Sequence, residues 1–192
     1  MATRTQTERT EATRALLVGA ALDLLDERGW AATTSVAVCE RAGVTRGALV
    51  HHFGALPALL ADALEVHHGR LAVLADESDP TTLRDLIEAT WRVIDRGSFK
   101  IVIEAWLAAS NDPELGEAIR PVVERFAKLV DPIGRAPLRD VGAQRLYLAA
   151  REAMFGLALG RATAGAPLGH ERLVIDQFLS LADAFDVDRR TN

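Results

Sequence analysis

Apolar positions along this chain recur at three- and four-residue spacings, and no stretch alternates apolar with polar over a strand length. The pattern predicts an almost wholly helical protein rich in the strong helix formers Ala, Leu, Arg and Glu. From Thr7 to Arg28, Leu17, Ala21, Leu24 and Leu25 make an apolar stripe at i, i+4, i+7 and i+8, with Gly29 as C-terminal cap and Trp30 as a core anchor. A second helix starts near Thr34 or Ser35 and ends at Gly43; a third is capped by Thr45, runs to His52 and is broken by Gly54. A fourth, from about Pro57 to Ala75, carries Leu60, Leu64, Leu71 and Leu74 on one side, and the polar run Asp76-Glu77-Ser78-Asp79-Pro80 follows it. Thr81 to Arg96 forms the fifth, and after Gly97-Ser98 a sixth ends near Ser110. Asp112 caps and Pro113 opens the seventh, which continues to about Val130 before a loop containing Pro132, Gly134 and Pro137. The eighth covers about Val141 to Thr163 and the ninth about His170 to Phe185, leaving a frayed tail.

The segment Thr33 to Phe53 holds two short helices joined by the tight turn Arg41-Ala42-Gly43-Val44, the outline of a helix-turn-helix. Leu49 and Phe53 must face inward, which turns Arg46, Gly47, Val50 and His51 outward. Arg46 lies in the first turn of the third helix, where its planar guanidinium suits guanine O6 and N7. Gly47 and Ala48 are small enough for backbone to come close to DNA. Thr34, Ser35 and Thr45, at the N-termini of the two short helices, suit phosphate oxygens, and His51 fits a phosphate contact.

These residues carry a resemblance. RGALVHHFGALPALL resembles the recognition segment of TetR-type repressors, and the upstream ERGW, TTSV and ERAGVT agree with it over roughly Arg14 to Leu60. The resemblance implies a homodimer on double-stranded operator DNA, with a C-terminal helical domain that binds a small effector. Two departures matter: Val50 stands where the family usually has a tyrosine, and Leu56 where it usually has a lysine, both usual phosphate contacts. Each lost phosphate contact flattens the salt dependence by about one unit of slope. A weaker or more base-dependent complex is therefore expected, with Thr34, Thr45, His51 and the arm arginines Arg4 and Arg9 as compensating groups.

The expected architecture is all-α, with about nine helices. A three-helix DNA-binding domain spans 1–55, and an effector-binding and dimerisation domain spans 56–192, with the fourth helix (about 57–75) as connector. Trp91, Glu104, Trp106, Phe126, Tyr147, Arg151 and Phe155 are the candidate effector-binding residues; their apolar character favours a hydrophobic or amphipathic ligand. Glu104, inside the apolar run IVIEAWLAA, has a simpler explanation as an i,i+4 partner of Lys100. The candidate dimer interface pairs the small residues Ala149, Ala153, Gly156 and Gly160 with the apolar seam Val174, Phe178, Leu181 and Phe185; burial in the chain's own core is the other explanation of both.

The 192 residues are 49% hydrophobic and 26% charged, enough for a core in one or two small domains. The net charge of −5 does not advertise nucleic-acid binding. Through residue 55, however, Arg4, Arg9, Arg14, Arg28, Arg41 and Arg46 balance Glu8, Glu11, Asp23, Asp26, Glu27 and Glu40, so the acidic excess lies beyond. DNA recognition would rest on a local patch. No apolar run approaches a membrane span and no signal-peptide core opens the chain, so a cytoplasmic protein is expected. No phosphate loop, nucleophile signature or metal-ligand spacing is present, so neither an enzyme nor a cofactor is expected. His51-His52 and His67-His68 are adjacent residues that diverge on a helix and chelate poorly, so no metal is expected. His67 or His68 is expected at the junction of the fourth helix with the effector domain. Cys39, the one cysteine, is assigned to packing. The alternative is an all-helical dimeric ligand-binding or interaction protein with weakened or lost DNA binding.

Overall fold

A computed structural model describes residues 6–76, 80–96, 99–130 and 138–191. Arg4, the residues Glu77-Ser78-Asp79 and Gly97-Ser98, and the loop containing Pro132, Gly134 and Pro137 lie outside the described residues. Among the described residues there are nine helices: α1 (Gln6–Arg28), α2 (Ser35–Ala42), α3 (Arg46–Phe53), α4 (Leu56–Asp76), α5 (Leu83–Arg96), α6 (Phe99–Asn111), α7 (Pro113–Val130), α8 (Val141–Ala164) and α9 (Glu171–Thr191). The last helix runs six residues beyond the expected end at Phe185, through the segment expected to fray. No single described helix is long and apolar enough to cross a membrane.

The chain divides into two compact units, and the division does not follow the expected boundary at residue 55. The first comprises Met1–Gly69 with Ile101–Ala127; the second comprises Arg70–Lys100 with Lys128–Asn192. In the first unit, Leu17, Ala21, Leu24 and Leu25 are fully enclosed, as the stripe requires. They meet Val38 and Cys39 of α2, Leu49 of α3, and Leu59, Leu60, Ala63 and Leu64 of α4. Ile101 and Ala105 of α6, with Leu115, Ile119 and Val122 of α7, close the same core. The helix-turn-helix is thus too small to bury its own apolar faces and borrows two helices from far along the chain.

Two polar contacts fix this unit. Arg14 lies three residues before Leu17, at the end of the buried stripe. Its guanidinium donates to the His52 carbonyl at 2.7 Å, pairs with Asp62, and lies 4.2 Å over the Phe53 ring. It therefore holds the C-terminal end of α3, where the helix dipole favours a cation. At the other end of α1, Gly29 adopts φ +76°, and the next backbone N–H, of Trp30, donates to the Glu104 carboxylate at 2.7 Å.

In the second unit α5, α8 and α9 pack on one another. Ile87, Ala143, Ala150, Met154, Ile175, Leu179 and Ala182 are buried there. Arg161 ties α8 to the start of α9 through the buried carboxylate of Glu171, reaches Asp95 of α5 at 2.9 Å, and lies 5.4 Å over the Trp91 ring. Glu171 also accepts the Leu168 N–H, so its carboxyl is held below the usual carboxylate range, chiefly by the Arg161 hydrogen bond.

Candidate nucleic-acid interface

The turn between α2 and α3 is fixed by backbone chemistry. Thr34 is extended at φ −94°, ψ 160°, and its hydroxyl accepts the Ala37 N–H at 3.2 Å. α2 ends at Gly43, whose φ of +66° is costly for any residue with a Cβ. The Val44 N–H returns to the Cys39 carbonyl at 3.0 Å and the Gly43 N–H to the Glu40 carbonyl at 3.3 Å, the Schellman pattern. Thr45 then repeats the capping geometry, accepting the Ala48 N–H at 3.2 Å. Each threonine cap contributes about 1 kcal/mol, so Thr34 and Thr45 have structural work beside any phosphate contact.

α3 presents two faces. Leu49 is buried, and Phe53 packs against the core under Arg14. Thr45, Arg46, Gly47, Val50 and His51 are exposed, Ala48 is half-buried, and Thr34 and Ser35 lie at the start of α2, exposed and half-buried respectively. Among the described residues no carboxylate pairs with Arg46. Arg41, by contrast, is committed to Glu27 by two bonds of 2.9 and 2.6 Å, which hold the Glu27 carboxyl below its ordinary range. His51 and His52 meet edge-on with centroids 5.1 Å apart. Among the described residues no group of three or more His, Cys, Asp or Glu side chains converges on a metal position.

Gly47 is informative because the fold does not require it. It is not among the positive-φ glycines, and a Cβ built there would meet nothing nearer than the Thr45 hydroxyl at 3.7 Å, ordinary contact. A glycine inside an eight-residue helix costs about 0.5–1 kcal/mol relative to alanine. The protein carries that cost on the exposed face beside Arg46.

Of the two departures, Leu56 begins α4 half-buried and packs against the core of the first unit. Val50 is 58% exposed and packs against nothing the core needs. Cys39 is 4% exposed and burial pushes its thiol up, in keeping with packing and not with a reactive thiolate.

The seven effector candidates do not share one unit. Glu104, Trp106 and Phe126 lie in the first; Trp91, Tyr147, Arg151 and Phe155 lie in the second. Glu104 is engaged with Trp30, and Phe126 stacks on buried His68 at 4.1 Å. Tyr147 is buried with its hydroxyl 3.2 Å from that of Thr90, and Phe155 stacks on Phe99 at 5.4 Å, with Arg151 5.9 Å from its ring. Trp106 is 37% exposed. Of the interface candidates, Ala149, Gly156 and Leu181 are exposed, and Ala153, Gly160, Val174, Phe178 and Phe185 are half-buried. Gly156 faces open space, but a Cβ on Gly160 would come within 2.7 Å of Leu168 of the same chain, and Phe185 covers Gly142.

Residues 17–63 match the family model for bacterial regulatory proteins of the tetR family. The helix-turn-helix-type transcriptional regulator CymR of Pseudomonas putida is 34% identical over 150 residues, which cover 74% of this chain and 73% of that protein. A regulator of the same type from Mycobacterium tuberculosis is 30% identical over 139 residues, 69% of this chain and 71% of that one. Among solved structures, a TetR transcription regulator from Haloarcula marismortui superposes with a TM-score of 0.68 at 14% identity, covering 91% of this chain and 98% of its own. The multidrug binding protein EbrR, complexed with imidazole, superposes at 0.62 with 23% identity, covering 88% and 94%. An exposed recognition helix on a core completed by distant helices, with relatives that match it along most of their length, places this chain in the TetR family of DNA-binding transcriptional regulators.

Proposed function

We propose that this chain acts as a homodimeric repressor that binds a palindromic double-stranded operator and releases it when a small hydrophobic or amphipathic effector binds. The exposed face of α3 carries the reading: Arg46 is available to base edges, and no side chain at Gly47 holds the helix away from them. Thr34, Ser35, Thr45, Ala48 and His51 complete the contact surface. Dimerisation through α8 and α9 is supported by the apolar side chains left in solvent on them: Leu159 and Leu181 at 44% and Leu173 at 73% exposure. Trp91, Tyr147, Arg151 and Phe155, which share the second unit, are the preferred effector residues, and EbrR, with imidazole or proflavin bound, is a structural neighbour that takes aromatic ligands.

Effector and operator would be coupled through two states of the dimer, so each must weaken the other by the same factor. The test is to identify small molecules held by the purified protein by native mass spectrometry, then to titrate operator with and without them. A molecule that binds tightly yet leaves operator affinity unchanged sinks the repressor reading.

A further inference from the structure

We propose that Val50 is a base-reading residue that recognises the C5-methyl group of a thymine in each operator half-site. This deepens the operator-binding reading and rests on it. Val50 is the one large apolar side chain that α3 leaves exposed, at 58%, while Leu49 beside it is 3% exposed. Packing therefore does not explain it, and a β-branched residue is a weaker helix former than the alternatives this short helix could carry. It follows Arg46 by four residues and so lies on the same helix face one turn on. In the major groove the thymine methyl is the apolar feature among otherwise polar base edges, and an aliphatic side chain is its natural partner. A phosphate gains nothing from valine, which has no donor. Gly47, on the exposed side between the two, adds no side chain to hold the helix away from the base edges.

The helix rise fixes the expected spacing. Four residues advance about 6 Å along α3, and base pairs are stacked about 3.4 Å apart. The thymine read by Val50 therefore lies within about two base pairs of the guanine read by Arg46.

The full chain is used to select duplexes from a randomised pool, and the enriched half-site is rebuilt with single changes. Replacing the thymine near the Arg46-dependent guanine by deoxyuridine removes one methyl and leaves the protein untouched. The expected result is a loss of about fourfold in affinity per half-site, the worth of one buried methyl. V50A, whose folding is checked by circular dichroism, is expected to bind the thymine operator about as weakly and to be indifferent to the deoxyuridine change. Equal affinity of the native protein for both duplexes, or an enriched half-site with no thymine in that span, overturns the assignment of Val50 and leaves DNA binding standing. Failure to enrich any duplex whose binding depends on Arg46 overturns the assignment together with the reading beneath it.

Discussion

The contact between Glu104 and the end of α1 makes a prediction that the geometry fixes closely. The Glu104 carboxylate accepts the Trp30 N–H at 2.7 Å and lies directly against Gly29. A hydrogen bond to a charged group contributes about 1.5–3 kcal/mol, so E104A should destabilise the protein by about 2 kcal/mol. G29A acts twice. Its backbone φ of +76° carries the left-handed penalty of about 1–2 kcal/mol for a residue with a Cβ. The new Cβ would also stand 2.9 and 3.1 Å from the two carboxylate oxygens, so the carboxylate must shift and its bond to Trp30 is weakened. The single change should therefore cost about 2–4 kcal/mol. Once Glu104 is alanine, only the backbone penalty remains. The double variant should fall short of the sum of the singles by about 1–2 kcal/mol. Urea denaturation of the four proteins at one concentration, followed by circular dichroism, measures this. Additivity within about 0.5 kcal/mol would refute the argument that Gly29 is there to admit the carboxylate.

Three further outcomes are expected. R14A should cost about 2 kcal/mol, mostly from the His52 carbonyl and the Phe53 ring, because the half-exposed Asp62 pair is worth under about 1 kcal/mol; a D62A change as costly as R14A would contradict this. T34A and T45A should each lose about 1 kcal/mol in thermal unfolding, and neutrality of both would remove their capping role. His68 is buried against Phe126, with His67 and Glu65 on its own helix and the Val122 carbonyl on α7; burial first, then His67, pushes its pKa down to about 4. Below about pH 6.5 the unfolded chain takes up a proton that the folded chain refuses. Stability is therefore full above pH 6.5 and falls as pH drops toward 4, by at most about 3 kcal/mol. An H68L protein should lose much of that slope, and an unchanged slope would show that other groups set it.

The local features of this fold were legible because each rests on neighbours in sequence. Leu17, Ala21, Leu24 and Leu25 declare a buried stripe by spacing, Gly43 and Gly54 declare their turns, and Thr45 and Asp112 declare helix starts by hydrogen-bonding three residues on. What could not be read joins residues far apart. Glu104 has a ready local explanation in Lys100, and nothing in the sequence points to Trp30, 74 residues away. Arg14 precedes the buried stripe by one turn, and its partners Asp62 and His52 lie far along the chain. The claim of Ile101–Ala127 on the first unit escaped for the same reason: periodicity assigns α6 and α7 a buried face without saying which core it joins. The packing of Leu56 against the core of the first unit was equally hidden, because it depends on residues brought together from other helices.

If α3 reads DNA through Arg46, footprinting of the full chain on the DNA flanking its own gene should show it, beside R46A. A two-fold symmetric protected region with half-sites about one helical turn apart is expected, with affinity reduced about tenfold or more by R46A. Absence of protection, or a footprint that R46A leaves unchanged, would contradict it.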